Sequence, residues 1–241
     1  MQKADKSGFF HHKGAKIFYK IYGDKNSQNI LLIHGNGESH HVFDKQIGPL
    51  STKYRVIAMD SRGHGRSGFG PHPLSLKLMA CDALMLLKYI HIKHTHILGF
   101  SDGANIAIIM ALRSPNTIDS LILAGGNLNP NGVLRRYQYP TIACYKVLKA
   151  LSFCPSFKRR ASVWRLMVHE PHIKAEALSR IENQTLVMAG EHDMISFNHT
   201  LKILRHIKNS RLYLVPKADH FLFGKWSDEV NAIILGFLSE S

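Results

Sequence analysis

Two hydrophobic periods alternate along this chain, and that alternation limits the folds open to it more than any other feature. Short apolar runs of strand length recur at residues 9–12, 16–22, 29–34, 54–59, 94–100, 118–124, 185–189 and 211–215. Longer stretches with helical spacing separate most of them, at about 42–50, 74–90, 104–112, 197–207 and 227–238. A run such as Ile30-Leu31-Leu32-Ile33 is apolar at consecutive positions, so both faces of the strand must be covered; a half-exposed strand would alternate. Such strands separated by helices predict an α/β architecture: a mostly parallel eight-stranded sheet with helices on both faces. The first two runs, joined around Lys13-Gly14, read as a hairpin forming an antiparallel edge. At 241 residues with 45% apolar content, residues 1–241 are expected to form a single domain with one core. No internal repeat or low-complexity segment interrupts it.

Within this frame, Gly99-Phe100-Ser101-Asp102-Gly103 spells G-x-S-x-G after an apolar run and before a helical pattern. A serine on so tight a strand-to-helix turn is pushed out of its backbone with strained φ/ψ, and only small residues two before and two after let the chain segments pass. Upstream, the run 30–33 leads into His34-Gly35-Asn36-Gly37, a glycine-bracketed turn whose N–H groups can converge on one spot. Downstream, 185–189 ends in Gly190-Glu191-His192-Asp193, and 211–215 leads through Pro216 to Asp219-His220. Serine, acid and histidine therefore follow one another in chain order, each just past the end of a strand.

This order resembles the α/β-hydrolases of the esterase/lactonase type, over about residues 9–238. The turn Asp60-Ser61-Arg62-Gly63-His64-Gly65-Arg66-Ser67 is similar to that superfamily's D-x-R-G-x-G-x-S segment. The resemblance implies the α/β-hydrolase fold, with Ser101 as nucleophile, His220 as general base and Asp193 as the orienting acid. It also implies an oxyanion hole made by the backbone amides of Asn36 and Asp102. The segment 126–184, which has helical patterns but no strand, corresponds to the helical cap that this superfamily inserts after the sixth strand. Haloalkane dehalogenases and epoxide hydrolases of the same fold carry aspartate at the elbow; a serine cannot form their alkyl-enzyme ester. Asp102 makes the elbow G-x-S-D-G, similar to that of the biphenyl-hydrolase-like enzymes that cleave amino-acid esters, and implies substrate binding if its carboxylate faces the pocket. If it points aside, it belongs only to the turn. Ala104 stands where a further glycine is frequent.

The chemistry follows from the residue types. A serine hydroxyl needs a base within hydrogen-bond reach, and imidazole titrates near neutrality. Sixteen histidines compete for that role; His220 stands out because it follows an apolar strand and precedes Phe221-Leu222-Phe223, which can pack and fix its loop. Glu191 competes with Asp193 as the acid. His34, Arg62, His64 and Arg66 read as braces of their own loops. The expected activity is a serine hydrolase acting on a carboxylic ester, with lactone, thioester or carbon–carbon bond hydrolysis as alternatives. The alternative from another class is a catalytically silent ligand-binding protein of this fold.

Composition narrows the partners. No run of 18 apolar residues could span a bilayer, and residues 1–6 are polar without an apolar signal core. The three cysteines, Cys81, Cys144 and Cys154, lack metal-ligand spacing, so free thiols in the cytoplasm, no metal and no cofactor are expected. From 131 to 180 ten Lys or Arg face two acids, Glu170 and Glu176, a net of +8 within the chain's +14. This basic cap fits a solvated surface, attraction of an anionic small-molecule ester, or contact with an anionic membrane through the amphipathic stretch 141–151. Nucleic acid is not expected, since no recognition motif accompanies the charge.

Overall fold

The computed structural model describes residues 2–240. Eight strands form one sheet: β1 (Lys6–His12), β2 (Ala15–Tyr22), β3 (Asn29–Ile33), β4 (Arg55–Met59), β5 (Thr95–Phe100), β6 (Ile118–Ala124), β7 (Gln184–Gly190) and β8 (Ser210–Val215). Their order is β1-β2-β4-β3-β5-β6-β7-β8, with β2 antiparallel to both β1 and β4 and every later pair parallel. The mostly parallel sheet and its antiparallel edge are as the sequence predicts. Lys13 and Gly14, at φ 45° and 72°, make the hairpin turn, the two left-handed residues of a type I′ connection. The first strand starts three residues earlier than its apolar run. Lys6, Ser7 and Gly8 join it through backbone pairing to Ile21, Lys20 and Tyr19, and an edge strand open to solvent leaves little hydrophobic trace.

Strand periodicity divides the core in two. Leu31, Ile33, Ile57, Met59, Ile97 and Leu123 point to one face, which α2 (Leu76–Tyr89) and α3 (Asp102–Arg113) cover. Ile30, Leu32, Val56, Ala58, Leu98 and Ile122 point to the other, which α1 (Asp44–Ser51) and α8 (Ser227–Ser239) cover. Successive residues of β3 thus feed opposite cores, which is why its apolar run is continuous.

Between β6 and β7 the chain leaves the sheet for α4 (Arg135–Ala150) and α5 (Pro155–His169), which pack on each other. α5 lies at the carboxyl end of the sheet: the Val163 carbonyl accepts from the Asn36 side chain, and Glu170 just past the helix accepts from Leu76 N–H at the start of α2. The remaining helices are α6 (Phe197–His206) and the short α7 (Leu222–Lys225). Among the described residues no helix is long and apolar enough to cross a membrane, and the three cysteines are free.

Candidate active site

Ser101 sits between β5 and α3 at φ 54°, ψ −119°, a left-handed conformation that costs an L-residue on the order of 1–3 kcal/mol. The turn is this tight because α3 starts immediately after it. A Cβ on Gly99 would collide with the Gly103 carbonyl oxygen, and one on Gly103 with that of Ile33. Both glycines of the pentapeptide are therefore steric necessities. The methyl of Ala104 is accommodated because Gly126 faces it.

Ser101, Asp193 and His220, spread over 119 positions of the chain, converge. His220 Nε2 lies 3.1 Å from Ser101 Oγ, and its Nδ1 lies 2.7 Å from Asp193 Oδ1. Since the carboxylate can only accept, Nδ1 carries the proton and Nε2 is left to accept from the serine hydroxyl. Asp193 also accepts from the N–H groups of Ile195 and Gly190, and His220 and Asp193 are both buried. Glu191 goes elsewhere: its carboxylate accepts from Lys217 N–H.

Aromatic packing aims the imidazole. Phe100 and Phe221 lie 5.0 and 5.7 Å from the His220 ring, while Phe223 wedges against Phe100 and Phe43. Gly125, at φ 63°, backs the ring so closely that a Cβ would meet His220 Cε1 at 2.7 Å. Nothing in the sequence singles out Gly125, because its demand comes from a residue 95 positions away.

The turn after β3 passes directly beside the serine, where a Cβ on Gly35 would lie 3.0 Å from Ser101 Cβ. Among the described residues, the N–H groups of Asn36 and Asp102 donate to no protein acceptor. His34 braces this turn: its Nε2 accepts from Ser61 N–H and its Nδ1–H donates to the Gly35 carbonyl. Burial, with His64 nearby, holds its pKa down at about 3, so it stays neutral as that geometry requires. Glu38, missed in the sequence, accepts from Gly35 N–H, and burial pushes its carboxyl up.

The following turn is tied more widely than its sequence suggests. Arg62 is fully buried and makes a bidentate pair with Asp82 of α2, at 2.8 and 2.7 Å, while donating to the His12 carbonyl in the hairpin. It also donates to the Phe69 carbonyl of the same loop, so it braces its own loop as expected and ties that loop to α2 and to the hairpin as well. Arg66 lays its guanidinium over Phe18 at 4.1 Å, and His64 bonds the Arg62 carbonyl. Asp60 accepts from His40 and from Arg66 N–H.

The Asp102 carboxylate is buried next to the nucleophile. Asn36 donates to one oxygen at 3.0 Å and Asn105 to the other at 3.3 Å, and among the described residues no ion pair involves it. Burial, opposed by those two amides, pushes its pKa up to about 6. The Asn36 side chain also reaches the Val163 carbonyl, so one amide joins the elbow, the turn after β3 and α5. Beside this turn a cleft of about 380 Å³ opens, lined by Gly37, Glu38, Phe69, Arg159, Arg160 and Trp164. No group of three or more potential metal ligands occurs among the described residues.

Residues 28–145 match the family model of the alpha/beta hydrolase fold. The human serine hydrolase BPHL is 29% identical over 93% of this chain and 84% of its own length. A putative carbamate hydrolase, RutD of a Caulobacter species, is 25% identical over 92% of this chain and 96% of its own. Among solved structures, a hydrolase from Pseudomonas aeruginosa superimposes with a TM-score of 0.81 at 24% identity, covering 98% of this chain and 99% of that one. The enol-lactonase of Burkholderia xenovorans does so at 0.80 and 18%, covering 96% and 100%.

Proposed function

Because the chain belongs to the α/β-hydrolase superfamily, we propose that it is a serine hydrolase that cleaves a carboxylic ester through an acyl-enzyme. The observation that carries this reading is the continuous relay Asp193–His220–Ser101, ending on a hydroxyl held out of its backbone. In the reaction, Ser101 Oγ attacks the ester carbonyl as His220 Nε2 takes its proton, and Asp193 stabilises the imidazolium. Negative charge collects on the carbonyl oxygen, where the N–H groups of Asn36 and Asp102 receive it. Each such donor supplies about 2.7–4 kcal/mol to the transition state. Collapse expels the alcohol, which leaves with the proton from Nε2. Water then repeats the cycle on the acyl-enzyme, releasing the acid and restoring Ser101.

Lactones, thioesters and carbamates undergo the same carbonyl attack, and a carbon–carbon bond next to a ketone can be cleaved on the same triad. An activity panel over these classes ranks them. The basic cleft beside Asn36 supports an anionic ester, and the uncompensated Asp102 carboxylate supports an ammonium on the part of the substrate nearest the elbow, as in an α-amino-acid ester.

A fluorophosphonate probe is expected to label Ser101. Ser101→Ala should lose the label and lower kcat by roughly 10⁴- to 10⁶-fold. Labelling retained in that variant would overturn the assignment.

A further inference from the structure

The outer side of α4 is apolar without any packing reason. None of its 16 residues is buried. Ile142, Tyr145 and Leu148 on its inner side are half-buried, and Tyr145 packs edge-on against His169 of α5. On the opposite side Tyr139 and Val147 are 61% and 58% exposed, and Phe153, in the turn that follows, is 84% exposed. With about 100° per residue, Tyr139, Ala143, Val147 and Ala150 fall within an arc of about 80° that also carries the exposed Arg136 in the first turn of the helix. Four of the eight large exposed hydrophobics among the described residues, Tyr137, Tyr139, Val147 and Phe153, lie between 137 and 153. Singly exposed apolar residues need no explanation, but half of them in one short segment do.

The charge around this stripe has one sign. Residues 120–169 contain no Asp or Glu. Arg135, Arg136, Lys146 and Lys149 belong to α4 itself; Lys158, Arg159 and Arg160 follow on α5, where they turn toward Phe69 and the cleft beside the turn after β3. Among the described residues the ion pairs leave all seven without a carboxylate; Arg165 alone in this region reaches one, Glu170 at 3.8 Å.

We propose that the outer face of α4 and the α4–α5 turn dock the protein on an anionic bilayer surface. The apolar stripe enters the headgroup boundary, where Phe and Tyr are well accommodated, while the lysines and arginines around it reach anionic headgroups. A second copy of this chain is the poorer occupant, since it would set two faces of net positive charge against each other. Docking is independent of the proposed ester chemistry and needs no intact triad.

The test uses the whole protein with vesicles of phosphatidylcholine containing phosphatidylglycerol, compared with phosphatidylcholine alone, in a sedimentation assay. Binding is expected only to the anionic vesicles and should weaken in high salt. Val147→Ser/Phe153→Ser changes no charge and should weaken binding by about tenfold, with hydrolysis of a water-soluble ester unchanged. Lys146→Gln/Lys149→Gln should weaken binding by a similar factor. Absence of binding to anionic vesicles overturns the proposal. So does equal binding of the serine variant, which would reduce the attraction to diffuse charge, and so does a solution dimer that this variant dissociates.

Discussion

At the scale of single residues, Asp102 shows how one carboxylate takes its meaning from its surroundings. In water it would be ionised at neutral pH and unremarkable. Between Asn36 and Asn105, without a cation, burial raises its pKa to about 6, so its charge develops only as pH passes that value. An ammonium-bearing ester should therefore gain on its des-amino analogue between pH 5 and 7. The gain should fade above about pH 8, as the substrate amine loses its proton. An ammonium contact with a carboxylate contributes about 1.5–3 kcal/mol, or 10- to 150-fold in kcat/KM. Using the ratio of the two esters cancels every pH effect on the catalytic steps that both share. Asp102→Asn keeps the backbone N–H and should flatten the ratio near unity; a flat ratio in the unaltered protein would remove the ammonium reading. Asp193 and Glu191 make the complementary point. They are two residues apart and chemically alike, yet one meets His220 and the other a backbone N–H beyond β8.

At the scale of elements, the elbow depends on how closely α3 can approach β3. Gly103→Ala would force a methyl into the backbone of Ile33, which flexible side chains cannot relieve. Overpacking of this kind costs about 1–3 kcal/mol, and in a domain of this size Tm should fall by about 3–10 °C. Turnover should fall too, because β3 carries the turn that ends in Asn36. Gly236, exposed in α8 with nothing within 4 Å of an added Cβ, gives the contrast. Gly236→Ala should raise stability by about 0.5–1 kcal/mol through helix propensity alone. Thermal unfolding monitored by circular dichroism reads both; a Gly103→Ala protein as stable as its parent would mean that β3 and α3 can separate.

At the scale of the whole molecule, net charge and its placement bear on substrate choice. The chain carries +14, and Arg159 and Arg160 line the cleft beside the turn after β3. If that field draws substrate in, kcat/KM for an anionic ester should fall with salt while a neutral ester of equal size is unaffected, since screening acts over about 8–10 Å at physiological ionic strength. Equal salt response of the two esters would leave these arginines to the solvated surface. The sequence by itself determined the sheet, its flanking helices and the order of serine, acid and histidine. Each rests on local signals: consecutive apolar residues for buried strands, and glycines at fixed spacing for the elbow. Tertiary structure alone decided that Asn36 links elbow, turn and α5, that Gly125 backs His220, and that Arg62 reaches across to Asp82 and the hairpin. It also decided which side of α4 faces water. These depend on contacts between residues tens to more than a hundred positions apart, where the periodicity of a segment records that it is covered but not by what.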